Sequence, residues 1–568
     1  MSTADAGSAT VRGSWWGLAA IFIAVFMQMI DATIVTIALP DITRDIGASF
    51  SEQSLVLTIY TLALACSLLP ASRLGGRYGR GGFFTAALAV FIAASVLCGI
   101  AGTPTVLILA RAIQGAAAGA MSAQSIAIIS TRFEGNHRTV AFSIYGAVAG
   151  VAAMLGPLLG GLLLGADPMN LSWRSIFLVN LFPGAIALVI SVSKLRGAVA
   201  RKALPLDLIG TLLSAAALFA LVYSLSFGRE KNWSTGILAL LAAAVVLFAL
   251  FVIHERRYQQ LGREPLVDIT LFGSPRFVLW ILTCLVMYGV FAAYFFVMSL
   301  SVQVGLGRSP LQTGLLTLPF SVGAVAGALW ISRAPRLTGS AAIGLGSLLF
   351  GVSLAGWLVA VQPDARALTV PVLVLPLIAG GFGAGMAGAK LQSVVVAAVP
   401  ARLMDSATGL IPTAQQVGNS FGVALIGVLF FHQVAAVGPS IVADEQPGIQ
   451  AELATVAAPF SAPIADRFAR CATMQFTSPT PERTPPGCAR DAAANDSAQP
   501  LRARVEPIIK RAATTVIGRV FLTSYRTTLW VLLALTTTVG VAVLGLPAVL
   551  ERRRRRGATV VAERAVSR

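Results

Sequence analysis

Fourteen stretches of about 20 predominantly apolar residues recur along this chain, each long enough to cross a ~30 Å hydrocarbon core as an α-helix. They lie near 15–38, 53–71, 83–101, 105–129, 139–164, 174–193, 206–227, 235–253, 276–301, 312–331, 340–361, 369–397, 406–432 and 527–549. Lipid satisfies no backbone polar group, so spans of this length fold as helices whose hydrogen bonds are internal. The expected class is an all-α polytopic membrane protein with 14 transmembrane helices. Composition agrees, with 56% hydrophobic and 12% charged residues, against about 25% charged in soluble domains. The first run, Trp15 to Leu39, lacks a small-residue cleavage site and is expected to stay as the first helix instead of leaving as a signal peptide.

The net charge of +18 would point a soluble chain toward nucleic acid, but here the basic residues cluster between apolar runs, where they set topology. No nucleic-acid partner is expected. Arg73, Arg77 and Arg80, Arg132 and Arg138, Lys194, Arg196, Arg201 and Lys202, Arg256, Arg257 and Arg263, and Arg333 and Arg336 all follow even-numbered spans. Together with Arg552 to Arg556 after the last span, they place both termini in the cytoplasm of a multi-pass plasma-membrane protein. The implied division is a cytoplasmic N-terminus (1–14), a six-helix half (15–196), two inserted helices (197–256), a second six-helix half (257–549) and a basic cytoplasmic tail (550–568). Within the second half, residues 433–526 read as a large extracellular loop rich in Pro, Ser and Asp. Cys471 and Cys488 are the two cysteines of that loop, and an oxidising compartment allows them to bridge. Two unpaired thiols are the alternative, because spacing alone does not bring sulfurs to bonding distance.

Within the first span, in "QMIDATIVTIALP", Asp31 is a carboxylate where lipid-soluble residues are expected. An ionised group at the bilayer centre costs at least about 2.5–3.5 kcal/mol, so such residues usually face a cavity or a partner and usually have a function. A hydrogen bond between packed helices is the plainer reading. The three histidines lie far apart, and no HExxH, CxxC, Walker A or nucleophile-elbow pattern occurs in a suitable context, which disfavours an enzyme. Without a nucleotide-binding domain, uphill transport must be driven by an ion gradient, and a buried titratable group such as Asp31 is what coupling to protons requires.

These residues resemble a family. "IDATIVTIALP" is similar to the first-helix motif of the fourteen-helix drug:proton antiporters of the major facilitator superfamily, L-D-x-T-V-V-N-V-A-L-P, through Asp31, Thr33, Ala38, Leu39 and Pro40, with Thr36 where Asn is usual. "LILARAIQGAAAGAM" resembles that superfamily's fourth-helix motif through Arg111, Gln114, Gly115 and Gly119. "GAVAGVAAMLGPLLGG" resembles the fifth-helix antiporter motif through Gly146, Gly150, Gly156, Pro157, Gly160 and Gly161, and "WRSIFLVNLFPG" the start of the sixth helix. The resemblance implies two six-helix halves with two inserted helices, proton-coupled export of small amphipathic compounds or drugs by alternating access, and a proton-coupling role for Asp31 and Arg111. It implies no cofactor beyond the proton gradient, and as partners the lipid bilayer, a small-molecule substrate and protons, with the chain acting as a monomer.

Some features stay open in the sequence. The stripe Ala152, Gly156 and Gly160 permits close helix approach and serves either packing or gating. In the gating loop "SRLGGRYGRGG", Arg77, Gly79 and Arg80 match the superfamily signature, but Gly76 replaces its acid and Ser72 its leading glycine, which puts the usual closure of the cytoplasmic side in doubt. Lys390 either snorkels to the interface or faces a cavity. Gln28, Gln114, Gln415 and Gln416 are further polar groups able to line a cavity or join helices. Two alternative functions also remain: a dedicated exporter of one metabolite, such as a self-made antibiotic or amino acid, and a non-transporting membrane receptor or scaffold.

Overall fold

The computed structural model describes residues 3–48, 50–195, 207–334, 337–361, 370–400, 403–478, 488 and 499–566, and these are helical almost throughout. The helices are α1 (Thr3–Ile46), α2 (Phe50–Tyr78), α3 (Arg80–Gly99), α4 (Pro104–Arg132), α5 (Gly135–Ala166), α6 (Ser175–Leu178), α7 (Leu181–Lys194), α8 (Leu208–Phe227) and α9 (Thr235–Gln260). They continue with α10 (Pro275–Leu300), α11 (Pro310–Arg333), α12 (Gly339–Ala360), α13 (Val370–Ala397), α14 (Met404–Ala457), α15 (Ser461–Thr477) and α16 (Gln499–Val566). Among the described residues thirteen helical segments are long and apolar enough to cross a membrane, α6 and α7 counting as one. The 32-residue α5 runs beside them against α1, α11 and α13, and at 1.5 Å per residue its ~48 Å exceeds the hydrocarbon thickness.

Two packed groups emerge. Helices α1 to α7 pack mainly on one another, as do α10 to α14 with α16, except that α5 also packs along α11 and α13, while the hairpin α8–α9 leans on α2 and α14. At the end of the bundle that carries Arg73, Arg80, Arg132 and Lys194, here termed the basic end, one buried core mixes both groups. Leu18, Phe84 and Phe142 of the first share it with Phe277, Leu391 and Ile411 of the second. Toward the opposite end the cores are separate, with Ile34, Val56 and Trp173 in the first group and Tyr294, Trp357 and Phe430 in the second. The halves are therefore joined at the basic end and part beyond it.

The stretch 433–526 departs from the expected loop. Helix α14 is 54 residues long, ~80 Å at 1.5 Å per residue, and so runs far beyond the bilayer. It packs there against α15 and the first turns of α16 as a three-helix headpiece. Val442, Leu453, Ala465, Phe476, Ile508 and Val516 form its core, and Glu445 pairs with Arg519. Pro439 and Pro447 lie inside α14. They are accommodated because the apolar stripe on either side of them has a partner to bury against. Cys471, on α15, and Cys488 are disulfide-bonded, while most of the intervening Pro-rich segment lies outside the described residues.

Candidate functional site

Asp31 lies on α1 where that helix is covered by α5. A Cβ on Gly156 would fall 1.9 Å from Thr33 Oγ1, and one on Gly160 would fall 3.0 Å from Ile34. These two glycines are thus the contact surface that lets α5 approach α1 beside Asp31. Gly146, Gly150 and Gly161 of the same motif are exposed, and a Cβ added to any of them would meet nothing within 4 Å. The side chain of Pro157 lies outside the described residues.

On α4 the glycines of "ARAIQGAAAG" do similar work against α2. A Cβ on Gly115 would meet the Tyr60 carbonyl at 2.2 Å, and one on Gly119 would meet Ser67 Oγ at 2.1 Å. With α4 seated this closely, Arg111 and Gln114 are turned inward to α1. Arg111 Nη1 hydrogen-bonds Asp31 Oδ2 and donates to Gln114 Oε1 at 2.9 Å, and Arg111 Nε donates to the Val56 carbonyl at 3.4 Å. Gln114 Nε2 donates to Asp31 Oδ1 at 2.9 Å and to Ser95 Oγ at 2.9 Å. The Arg111 guanidinium lies over the Tyr60 ring at 4.3 Å.

Asp31, Arg111 and Gln114 are all buried, with relative exposures of 0%, 1% and 0%. Desolvating two charges is costly, and a buried pair is stable only when further hydrogen bonds satisfy the remaining lone pairs and protons. The Gln114 side chain and the Val56 carbonyl supply such bonds.

One amide at this site was not singled out in the sequence. The sixth span breaks between α6 and α7, and Asn180 in the break donates to Asp31 Oδ1 at 3.1 Å and to Ser95 Oγ at 3.4 Å. The signal available was a lone amide in the apolar run "FLVNLFPG". Ser95 and Tyr60 gave less warning, since a serine or tyrosine in an apolar span is ordinary. The resulting cluster links α1, α3, α4 and the α6–α7 break, so a change of charge on Asp31 acts on four elements at once.

Gln28 lies one turn before Asp31. Its side-chain oxygen accepts from Ser122 at 3.0 Å, its carbonyl accepts from Tyr60 Oη at 3.0 Å, and its buried Nε2 has no partner. The polar residues of the second half lie apart from this cluster. Lys390 is half-buried on α13, Gln415 and Gln416 are half-buried on α14, and Gln415 has a buried Nε2 without a partner.

At the basic end Gly79 adopts a φ of 92° between α2 and α3, a left-handed conformation that glycine takes without steric cost. Arg80 donates to the Ala127 carbonyl at 2.9 Å and to Thr131 Oγ1 at 3.0 Å, fastening this turn to the last turns of α4. The Arg77 guanidinium lies over the Tyr78 ring at 5.4 Å. The structure places residues 72–78 of the expected gating loop in the last turns of α2, and closure of this end against the second half falls to a different residue there. Arg73 donates to the Leu266 carbonyl and to Ser406 Oγ, both at 2.9 Å, and lies 3.9 Å from Glu264. The hydroxyls of Thr139 on α5 and Ser393 on α13 meet at 3.3 Å. With Gly76 in place of an acid, these contacts and the mixed core hold the end shut.

A family model described as Major Facilitator Superfamily matches residues 21–423. The chain is 30% identical over 535 residues to the probable actinorhodin transporter of Streptomyces coelicolor, spanning 93% of this chain and 91% of that protein. It is 33% identical over 425 residues to the puromycin resistance protein pur8 of Streptomyces alboniger, spanning 74% and 83% respectively. Among solved structures it resembles the human organic anion transporter MFSD10 (TETRAN), with a TM-score of 0.52 and 14% identity over 73% of this chain and 94% of that one. At that identity the likeness is one of fold.

Proposed function

This chain belongs to the Major Facilitator Superfamily, and on that premise we propose that it exports small amphipathic compounds, antibiotics and drugs among them, in exchange for protons by alternating access. In this reading the basic end faces the cytoplasm of a plasma-membrane protein, which the positive-inside bias of its loops supports, and the headpiece stands outside. A core shared at one end and divided at the other is the arrangement of an outward-facing transporter. No cofactor beyond the proton gradient and no covalent chemistry enter this reading, and a single chain suffices.

The observation that carries it is the buried Asp31–Arg111 pair with Gln114 and Asn180 on the same carboxylate. A proton arriving on Asp31 removes its charge, frees Arg111 and weakens three acceptor contacts together, so proton binding has a structural consequence in four elements. The names of the relatives, one a transporter of actinorhodin and one conferring puromycin resistance, support an antibiotic or a similar compound as cargo. A narrower reading, a dedicated exporter of one compound, is supported by the name of the relative matched over 93% of this chain, a probable actinorhodin transporter.

Inverted membrane vesicles test the proposal. With an acid-inside gradient the wild-type protein is expected to accumulate an amphipathic dye against its gradient, whereas Asp31→Asn, inserted at the same level, is not. Wild-type accumulation by Asp31→Asn would overturn the coupling role. A panel of chemically unrelated amphipaths separates broad from dedicated export.

A further inference from the structure

A second carboxyl cluster lies at the basic end, away from Asp31, where the inserted hairpin α8–α9 meets the closing contacts of Arg73. Asp207 caps α8 and accepts from the Gly210 amide at 2.8 Å. His254 Nε2 sits 2.8 and 2.9 Å from its two oxygens. Glu255, next along α9, is fully buried, with a relative exposure of 0% against 7% for Asp207. One of its oxygens, Oε2, accepts from the Val267 amide at 3.2 Å, while the other, Oε1, is buried without a partner. That oxygen faces Asp207: Asp207 Oδ2 and Glu255 Oε1 lie 2.4 and 2.6 Å from the point where Gly210 would carry a Cβ, and so at most about 5.0 Å from each other.

A second negative charge buried beside Asp207, with no hydrogen-bond partner for Oε1, is costly, and a proton on Glu255 removes that cost. We propose that Glu255 and Asp207 form a second proton-binding site, whose proton stabilises the closed basic end. The unpartnered Oε1 then carries the proton and points it toward Asp207.

The route from this site to the closure runs through three consecutive residues. Val267 is held by Glu255, the Leu266 carbonyl by Arg73, and the Asp268 amide by Ser406 at 3.1 Å, the hydroxyl that also accepts from Arg73. Loss of the proton places a second negative charge beside Asp207 and pulls on the segment that Arg73 uses to shut the end. Acidification therefore favours closure and alkalinisation favours opening. The charged groups around Glu255 are Asp207 from α8, His254 on its own helix, Arg73 from α2, and Glu264 and Asp268 of the following segment. Of these, Glu264 is engaged with Arg73, and Asp268 accepts from Gln259 at 3.0 Å.

The inference rests on the alternating-access reading but not on proton binding by Asp31, so it is tested in an Asp31→Asn background. Spin labels at Tyr78 and Arg333, both exposed at the basic end, report the distance between the halves of the full-length protein in nanodiscs. In Asp31→Asn the closed fraction is expected to fall as pH rises, and adding Glu255→Gln, which keeps a neutral side chain of the same size, should hold it closed at every pH. Should that variant fail to insert, Asp207→Asn serves in its place. Removing the neighbouring charge should move the midpoint to lower pH by about one unit or more. Infrared difference spectra supply a second readout, a protonated-carboxyl band that titrates with closure. A distance distribution that ignores pH in Asp31→Asn, or a Glu255→Gln protein that titrates like its parent, overturns the proposal.

Discussion

Asn180 Nδ2 lies 3.1 Å from Asp31 Oδ1, so the break in the sixth span is tied to the carboxylate of the first. Asn180 is itself buried, so its amide is turned inward to the carboxylate. Removing this donor with Asn180→Ala leaves Asp31 with fewer partners, and hydrogen bonds to charged groups contribute roughly 1.5–3 kcal/mol. A lower melting temperature and weakened uphill export are expected. Asn180→Asp, which sets a second carboxylate against the first, should abolish export altogether. Melting and dye accumulation in vesicles check both, and a wild-type melting curve for Asn180→Ala would show the contact to be incidental.

Arg111 invites a sharper comparison. Its guanidinium serves Asp31, Gln114 and the Val56 carbonyl together and stacks on Tyr60, a set of roles that needs a planar fork. Arg111→Ala strands a buried carboxylate, and breaking a buried pair in this way costs about 3–5 kcal/mol. Arg111→Lys keeps the charge but not the fork, and it should restore stability further than it restores transport. Thermal unfolding in detergent set beside dye export measures the two separately. If Arg111→Lys exports as fast as wild type, the fork is dispensable.

Much of this was legible in the sequence, for a physical reason. Span lengths and the intramembrane Asp31 and Arg111 are costly features that composition cannot hide, and the small residues of α4 and α5 mark close helix approach. What the sequence concealed depends on tertiary partners. Asn180 looks like one amide in an apolar run until the sixth helix breaks beside Asp31. Arg73 reads as a topology charge until residues 264–268 are folded against it. The headpiece reads as a loop because the polar, Pro-, Ser- and Asp-rich composition of 433–526 masks its apolar pattern. The stripe Val442, Ile449 and Leu453 becomes decisive only once α15 and α16 supply a surface to cover it.

Arg73 supplies the third prediction. Because its two hydrogen bonds reach the opposite half, Arg73→Ala should loosen the basic end. A cysteine introduced at Ser393, a buried position on the closing surface, should then react several-fold faster with an impermeant maleimide applied from that side. Gly76→Asp, which restores the acid the superfamily signature carries, should change little while Arg73 is present. Equal labelling rates with and without Arg73 would assign closure to the mixed apolar core alone.

The last prediction concerns the headpiece, where Cys471 and Cys488 close a loop of 17 residues. In the entropic model a bridge of this span stabilises the folded state by ~3 kcal/mol, by restricting the unfolded chain. Yet the three-helix core does not depend on it. Phe476 is 1% exposed and packs against Gly438, where an added Cβ would lie 2.7 Å away. Removing a buried phenylalanine costs about 3–5 kcal/mol through lost contact and the cavity left behind. Cys471→Ser should therefore speed amide exchange in α15 while leaving the helices formed. Phe476→Ala should do more, exposing the α14–α15 junction to protease. Neither should greatly reduce transport, because the divided cores place the substrate path between the halves and the headpiece belongs wholly to the second of them. Exchange mass spectrometry and vesicle transport on the same preparations decide it. A Cys471→Ser protein with an intact headpiece but no export would mean that the headpiece itself takes part in moving the substrate.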